Sequence, residues 1–98
     1  MSTDEQINAA FAAANEFVSK GSKDMPITLT NSDKLTFYAL HKQATAGACS
    51  GAQPSKLNVI ARAKYDAWKA LGSMSQKDAK LKYIEELKSK VPALKAKL

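Results

Sequence analysis

The chain has 98 residues, 45% of them hydrophobic and 24% charged, with a formal net charge of +6; this is ordinary composition for a single folded domain over residues 1–98 and argues against disorder. Its one cysteine, Cys49, excludes an intrachain disulfide and points to a reducing compartment. No apolar run approaches the ~20 residues needed to cross a bilayer, the acidic start through Asp4 and Glu5 predicts no secretory leader, and Ser2 in place of glycine removes the N-myristoylation motif.

The first predicted helix opens at Ser2 or Thr3, with Ser2 and Glu5 at capping-box spacing. Ile7, Ala10, Phe11, Ala14, Phe17 and Val18 recur at helical intervals, and Gly21 ends the run. Residues 22–30 contain Pro26 and lack a clean period, which predicts a loop. The second helix is capped by Asn31 or Ser32 and continues to about Gly47. Phe37, Leu40 and Ala44 make its apolar stripe, while Tyr38, His41, Lys42 and Thr45 share a second face at i, i+3, i+4 and i+7.

Gly47, Gly51 and Pro54 mark a connecting loop. A third helix follows over roughly 58–71, with Ile60, Ala63, Ala67 and Leu71 on the face expected to pack, Lys64 and Trp68 beside it, and Gly72 as its stop. Ser75 with Asp78 predicts the cap of a fourth helix, whose apolar stripe is Ala79, Tyr83, Ile84, Leu87 and Val91, with Pro92 ending or kinking it. No strand alternation of useful length and no internal repeat appears. The fold class is all-α, with four helices in one domain.

Charge is unevenly placed. Residues 1–48 balance at −1, with four lysines against five carboxylates; residues 49–98 balance at +7, with ten lysines and Arg62 against four. A basic half favours an anionic partner, whether nucleic acid, membrane surface or phosphorylated small molecule. The lysines of the last helix and tail read as a solvated face with at most a steering role.

Catalysis is not expected. His41 is the sole histidine, and its sequence neighbour Cys49 lies across a helix end and a glycine-rich turn. One histidine and one cysteine do not supply the usual zinc ligand set, and no Walker loop or dinucleotide fingerprint is present. Phe11, Phe17, Phe37 and Trp68 read as packing residues. What remains is the Tyr38, His41, Lys42 face: lysine offers a point charge and three donors to phosphate oxygens, and the rings can stack on a base.

The run Tyr38-Ala39-Leu40-His41-Lys42-Gln43-Ala44-Thr45-Ala46-Gly47 resembles the signature helix Y-x-x-Y-K-Q-A-T-x-G of the acyl-CoA-binding protein family. Ala63-Lys64-Tyr65-Asp66-Ala67-Trp68 is similar to that family's A-K-W-D-A-W run, and Ser75 to Asp78 followed by Tyr83-Ile84 resembles its last capped helix. The three blocks stand in family order across residues 32–90, and the first helix matches more loosely.

The resemblance implies a four-helix up-down-down-up bundle of the acyl-CoA-binding type. It also implies a non-enzymatic role in binding, transporting and buffering medium- to long-chain fatty-acyl-CoA inside the cell, with no cofactor and no metal. Carried over by position, Tyr38 and His41 contact the 3′-phosphate region, Lys42 and Lys64 face phosphates, and Tyr83 borders the adenine pocket. Departures from the family pattern fall at His41 for a tyrosine, Ser19 beside Lys20 for a first-helix lysine, Ile60 for a basic residue and Tyr65 for a tryptophan. The partner expected is fatty-acyl-CoA, without nucleic acid or integral membrane association, though with transient contact to membranes or acyl-CoA-using enzymes. The protein is expected to be a cytoplasmic monomer; Ala96-Lys97-Leu98, a relaxed S-K-L address, offers a peroxisome-like alternative.

Overall fold

The computed structural model describes residues 3–20 and 29–91, which form four α-helices: α1 (Asp4–Lys20), α2 (Asn31–Ala46), α3 (Val59–Lys69) and α4 (Gln76–Lys90). They run up-down-down-up. The expectations placed on Ser2, Gly21, Pro26, Pro92, the side chain of Lys20 and the Ala96-Lys97-Leu98 tail lie outside the described residues.

Each helix starts where a side chain takes over an orphan backbone donor. At α1, Thr3 Oγ1 accepts from Gln6 N–H at 3.1 Å, while Thr3 N–H donates to Gln6 Oε1 at 3.0 Å. The cap of α2 corrects the sequence expectation: it is Thr30, one residue before Asn31. Thr30 Oγ1 accepts from Asp33 N–H and Thr30 N–H donates to Asp33 Oδ2, both at 3.0 Å, so Asp33 completes a reciprocal box that neither Asn31 nor Ser32 makes. Lys90 Nζ sits 3.0 Å from the same carboxylate and ties the end of α4 to the start of α2. The Lys90 ammonium, with the Thr30 N–H, holds the Asp33 carboxyl below its ordinary 3.8. Ser75 Oγ accepts from Asp78 N–H at 3.0 Å to open α4, as expected.

Gly47 ends α2 at φ 86°, ψ −154°. That backbone region is essentially reserved for glycine, so the residue is required by conformation. Space is not the reason, because a Cβ placed there would meet nothing within 4 Å.

The core draws Phe11 and Ala14 from α1, Phe37, Leu40 and Ala44 from α2, and Ala79, Tyr83, Ile84, Leu87 and the flanking Val91 from the α4 region. These are the residues of the expected stripes, and Phe17 and Val18 pack half-buried against them. α4 packs against both α1 and α2, whereas α3 packs against α2.

α3 departs from expectation in two ways. It stops at Lys69, because Leu71 N–H bonds to Trp68 O and Gly72 N–H to Lys69 O, tightening the last turn to i→i−3 bonding. Its packing face is also rotated. Ile60 is 71% exposed, and Trp68 is the one side chain of the helix that is buried. The seam with α2 runs through Lys64 and Trp68, which meet Tyr38 and Lys42, and this turns Ile60 outward.

Gln43 joins the two halves of the structure. Fully buried, it donates from Nε2 to Gly72 O at 3.0 Å and Met74 O at 2.7 Å. The middle of α2 is thereby fastened to the α3–α4 connection.

Candidate functional site

A cleft of about 420 Å³ opens between α1, the first turns of α2 and the middle of α4. Phe37, Tyr38 and His41 form its α2 wall, Tyr83 its α4 wall, and Asn15 and Val18 face them from α1. The sequence places Tyr38 and His41 one turn apart on α2, and Phe37 adjacent to Tyr38 belongs to both core and cleft. A volume of this size is within the range of small-molecule sites, about 300–1,000 Å³.

The rings form one connected cluster. His41 stacks on Phe11 with centroids 5.9 Å apart and planes 27° from parallel. Tyr83 meets Phe11 and Phe37 edge-on, at 5.1 and 5.0 Å. Both distances suit the quadrupole preference of aromatic pairs, so the cleft wall is preorganised by packing. The Tyr83 hydroxyl donates to Asn15 Oδ1 at 3.3 Å, linking α4 to α1 beside the cleft. Burial pushes the Tyr83 phenol up to about 12, so it stays neutral and remains a donor at physiological pH.

The two expected lysines stand on the α3 side of this wall. Lys64 Nζ lies over the Tyr38 ring at 5.2 Å from its centroid, and Lys42 Nζ lies over the Trp68 ring at 5.0 Å. Both are within the ~6 Å range of a cation–π contact. Lys64 is exposed and Lys42 half-buried, so each ammonium has an aromatic rest while keeping access to solvent. Trp68 itself is fixed by a 2.9 Å bond from Nε1 to Gly47 O, which explains why the seam holds its shape where α2 ends.

Tyr38, His41 and Tyr83 thus line one cleft, and Lys64 reaches it across Tyr38. Lys42 lies one turn further along α2 and does not line the cleft. Three lining residues escape a reading of the sequence: Lys34, Asn15 and Leu29, the last of which falls in the stretch expected to be a loop. Lys34 carries a usable signal, since it stands at i−4 from Tyr38 as Lys42 stands at i+4. Asn15 carries none, because its role depends on α4 coming alongside α1. Ser19, noted at the position of a family lysine, also lines the cleft. Among the described residues, no carboxylate does.

Cys49 and His41 point to different neighbours. The Cys49 thiol is directed at Tyr65 O, 4.0 Å away on the α3 side, while His41 rests on Phe11 of α1. Among the described residues, no three His, Cys, Asp or Glu side chains are grouped as a metal ion requires. A wider groove on the outer face of α4, lined by Leu81, Ile84, Glu85 and Lys88, contains no ring to stack on a base.

These features define a helical domain with an aromatic cleft rimmed by lysines. The chain belongs to the acyl-CoA-binding protein family: the model of that family matches residues 8–87. It is 43% identical over 77 residues to acyl-CoA-binding protein homolog 3 of Caenorhabditis elegans, which covers 79% of this chain and 66% of that protein. Against acyl-CoA-binding domain-containing protein 1 of Arabidopsis thaliana it is 39% identical over 89 residues, covering 90% of this chain but 26% of the longer relative. The crystal structure of acyl-CoA-binding protein 2 of Oryza sativa superposes with a TM-score of 0.77 at 34% identity, covering 94% of this chain and 98% of that one.

Proposed function

We propose that the protein is a non-catalytic carrier of fatty-acyl-CoA esters, binding, buffering and delivering them without a cofactor or metal. The observation that carries this reading is the joint one of Tyr38, His41 and Tyr83 around a cleft that has Lys34 on its wall and Lys64 at its edge, with no carboxylate among the described residues that line it. Rings suit a nucleobase, and ammonium groups suit phosphates. Charge-assisted contacts to phosphate contribute about 1.5–3 kcal/mol each. An acyl chain adds ~0.8 kcal/mol for every methylene it buries, so ten buried groups supply roughly 8 kcal/mol before ordering costs. The chain supplies affinity, and the head contacts set the preference over free fatty acid.

In this reading Tyr38 and His41 face the 3′-phosphate region, Lys42 and Lys64 the phosphates, and Tyr83 the base. Tyr83 acts through its ring, since its hydroxyl is already bonded to Asn15. A reducing, cytoplasmic location fits the single free cysteine, Cys49.

Titration with a long-chain acyl-CoA, followed by NMR, tests the site. The ring signals of Tyr38, His41 and Tyr83 are expected to shift together and saturably. Shifts confined to the outer face of α4, around Leu81 and Lys88, would place the ligand elsewhere.

A further inference from the structure

His41 is the one histidine of the chain, and the fold sets it half-buried in the wall of the cleft. Its ring stacks on Phe11 of α1, so the imidazole is positioned by packing. The hydrogen bond at this residue goes to its backbone: the Thr45 hydroxyl donates to His41 O at 2.8 Å. Among the described residues, no protein group is hydrogen-bonded to either ring nitrogen, so both are available to a ligand.

The groups around the ring are cationic or neutral on every element. Along α2, Lys34 and Tyr38 share the cleft wall and Lys42 follows His41 in sequence. α1 presents Phe11 and Asn15, α4 presents Tyr83, and α3 brings Lys64 to the edge over Tyr38. The carboxylate of α1 in this region, Glu16, is exposed and is not a lining residue. Lysine and tyrosine ordinarily ionise near 10, and burial takes Tyr83 to about 12. Imidazole is therefore the one kind of side chain in the cleft that changes charge between pH 5 and 8.

A phosphate placed against this ring distinguishes its two forms. Neutral imidazole offers one N–H donor, whereas imidazolium offers a donor and a full positive charge, about doubling the strength of the bond. The anion binds the protonated protein better, and by reciprocity its binding draws a proton onto the ring.

We propose that His41 couples acyl-CoA binding to protonation, so that the protein holds the phosphorylated head more tightly as pH falls from 8 toward 6.5. The coupling rests on the acyl-CoA reading of the cleft and adds regulation by local pH to it. Contact with phosphate favours the charged ring, which keeps its proton to higher pH in the complex than in the free protein. The gain is thus present at the acid end of the window and lost as pH rises through it. The second ionisation of a phosphate monoester lies near 6, and protonating the ligand weakens the same contact, so the window stops at 6.5.

Calorimetry of the full chain with a long-chain acyl-CoA across this window, in two buffers of different ionisation enthalpy, reads affinity and proton uptake together. Affinity should rise about three- to tenfold from pH 8 to 6.5, with a fraction of a proton taken up per complex. The acyl ester of CoA lacking its 3′-phosphate should show a nearly flat profile. His41→Tyr keeps a ring against Phe11 and His41→Gln keeps a neutral donor; both should flatten the profile, with folding verified by circular dichroism. One readout needs no variant: the ring signal of the sole histidine, followed by NMR, should titrate at higher pH with acyl-CoA bound than without. A flat profile in the wild-type protein would overturn the coupling and leave the acyl-CoA reading standing. A slope that persists in either folded variant would overturn it too, as would an equal slope for the ester without its 3′-phosphate. No binding of acyl-CoA at any pH would refute the reading of the cleft itself, and the coupling with it.

Discussion

Lys64→Ala isolates the electrostatic part of the proposed site. The side chain is exposed and its ammonium lies 5.2 Å from the Tyr38 ring centroid, so truncation removes charge without opening the core. In the free protein the truncation removes an exposed cation–π pair of about 0.5–1 kcal/mol, and urea unfolding should register no more than that. In the complex it removes a charge-assisted bond to phosphate of about 1.5–3 kcal/mol, equivalent to roughly a ten- to 150-fold rise in Kd. Calorimetry with one acyl-CoA, at several salt concentrations, measures both the weakening and its ionic character. The variant should show a shallower salt dependence, and Lys64→Arg should recover most of the affinity. An unchanged Kd in Lys64→Ala would refute the assignment of this lysine, and an unchanged salt slope with a weakened Kd would show that its charge is not the cause.

Three further outcomes follow from the geometry. Tyr83→Phe removes the donor to Asn15 and should cost about 1 kcal/mol in urea unfolding. Its pH effect is sharper. A phenol ordinarily near 10 that is held at about 12 in the folded state ionises first in the unfolded chain, so wild-type stability should fall between those values by up to ~1.4 kcal/mol per pH unit. The variant should lack that share of the alkaline loss, and parallel curves for the two proteins would contradict the burial argument. Gly47→Ala forces a Cβ onto φ 86°, ψ −154° and should destabilise by about 1–3 kcal/mol, with no relief from repacking because the space is already open. Gln43→Ala withdraws two hydrogen bonds from the α3–α4 connection and leaves a cavity under α2; a loss of about 2–4 kcal/mol is expected by thermal or urea unfolding.

The four helices are legible in the sequence because each rests on local information. The stripes of α1, α2 and α4 follow the 3.6-residue period, and their apolar members enter one core. Where local signals compete, tertiary geometry decides. Asn31 and Ser32 are good caps in isolation, yet Thr30 wins because Asp33 sits three residues beyond it and is held from the far side by Lys90. The packing face of α3 is hidden for a similar reason. Ile60, Ala63 and Ala67 repeat at helical spacing, but α3 uses its Lys64–Trp68 seam against α2, and no period records which neighbour a helix will find.

The site divides in the same way. Tyr38, His41 and Lys42 share a helix, so their grouping can be read from spacing, whereas Tyr83 is 42 positions from His41 and by periodicity is simply a core residue. Only resemblance singles it out. Asn15 is one of two asparagines on α1 and carries no chemical pattern, and Lys34 is recognisable only by its spacing from Tyr38. Gln43 belongs to the signature run, but nothing in its sequence neighbours explains it; its burial and its two bonds across to Gly72 and Met74 supply the structural reason.

The central claim is that a lysine-rimmed aromatic cleft selects the phosphorylated head of an acylated coenzyme. Calorimetric comparison of a long-chain acyl-CoA, the corresponding free fatty acid and the acyl ester of CoA lacking its 3′-phosphate tests it most directly. The intact ester should bind tightest, with loss of the 3′-phosphate weakening it by about tenfold or more and the free acid weaker still. Equal affinity for all three would contradict the account, because the rings and lysines of the cleft would then have no part in recognition.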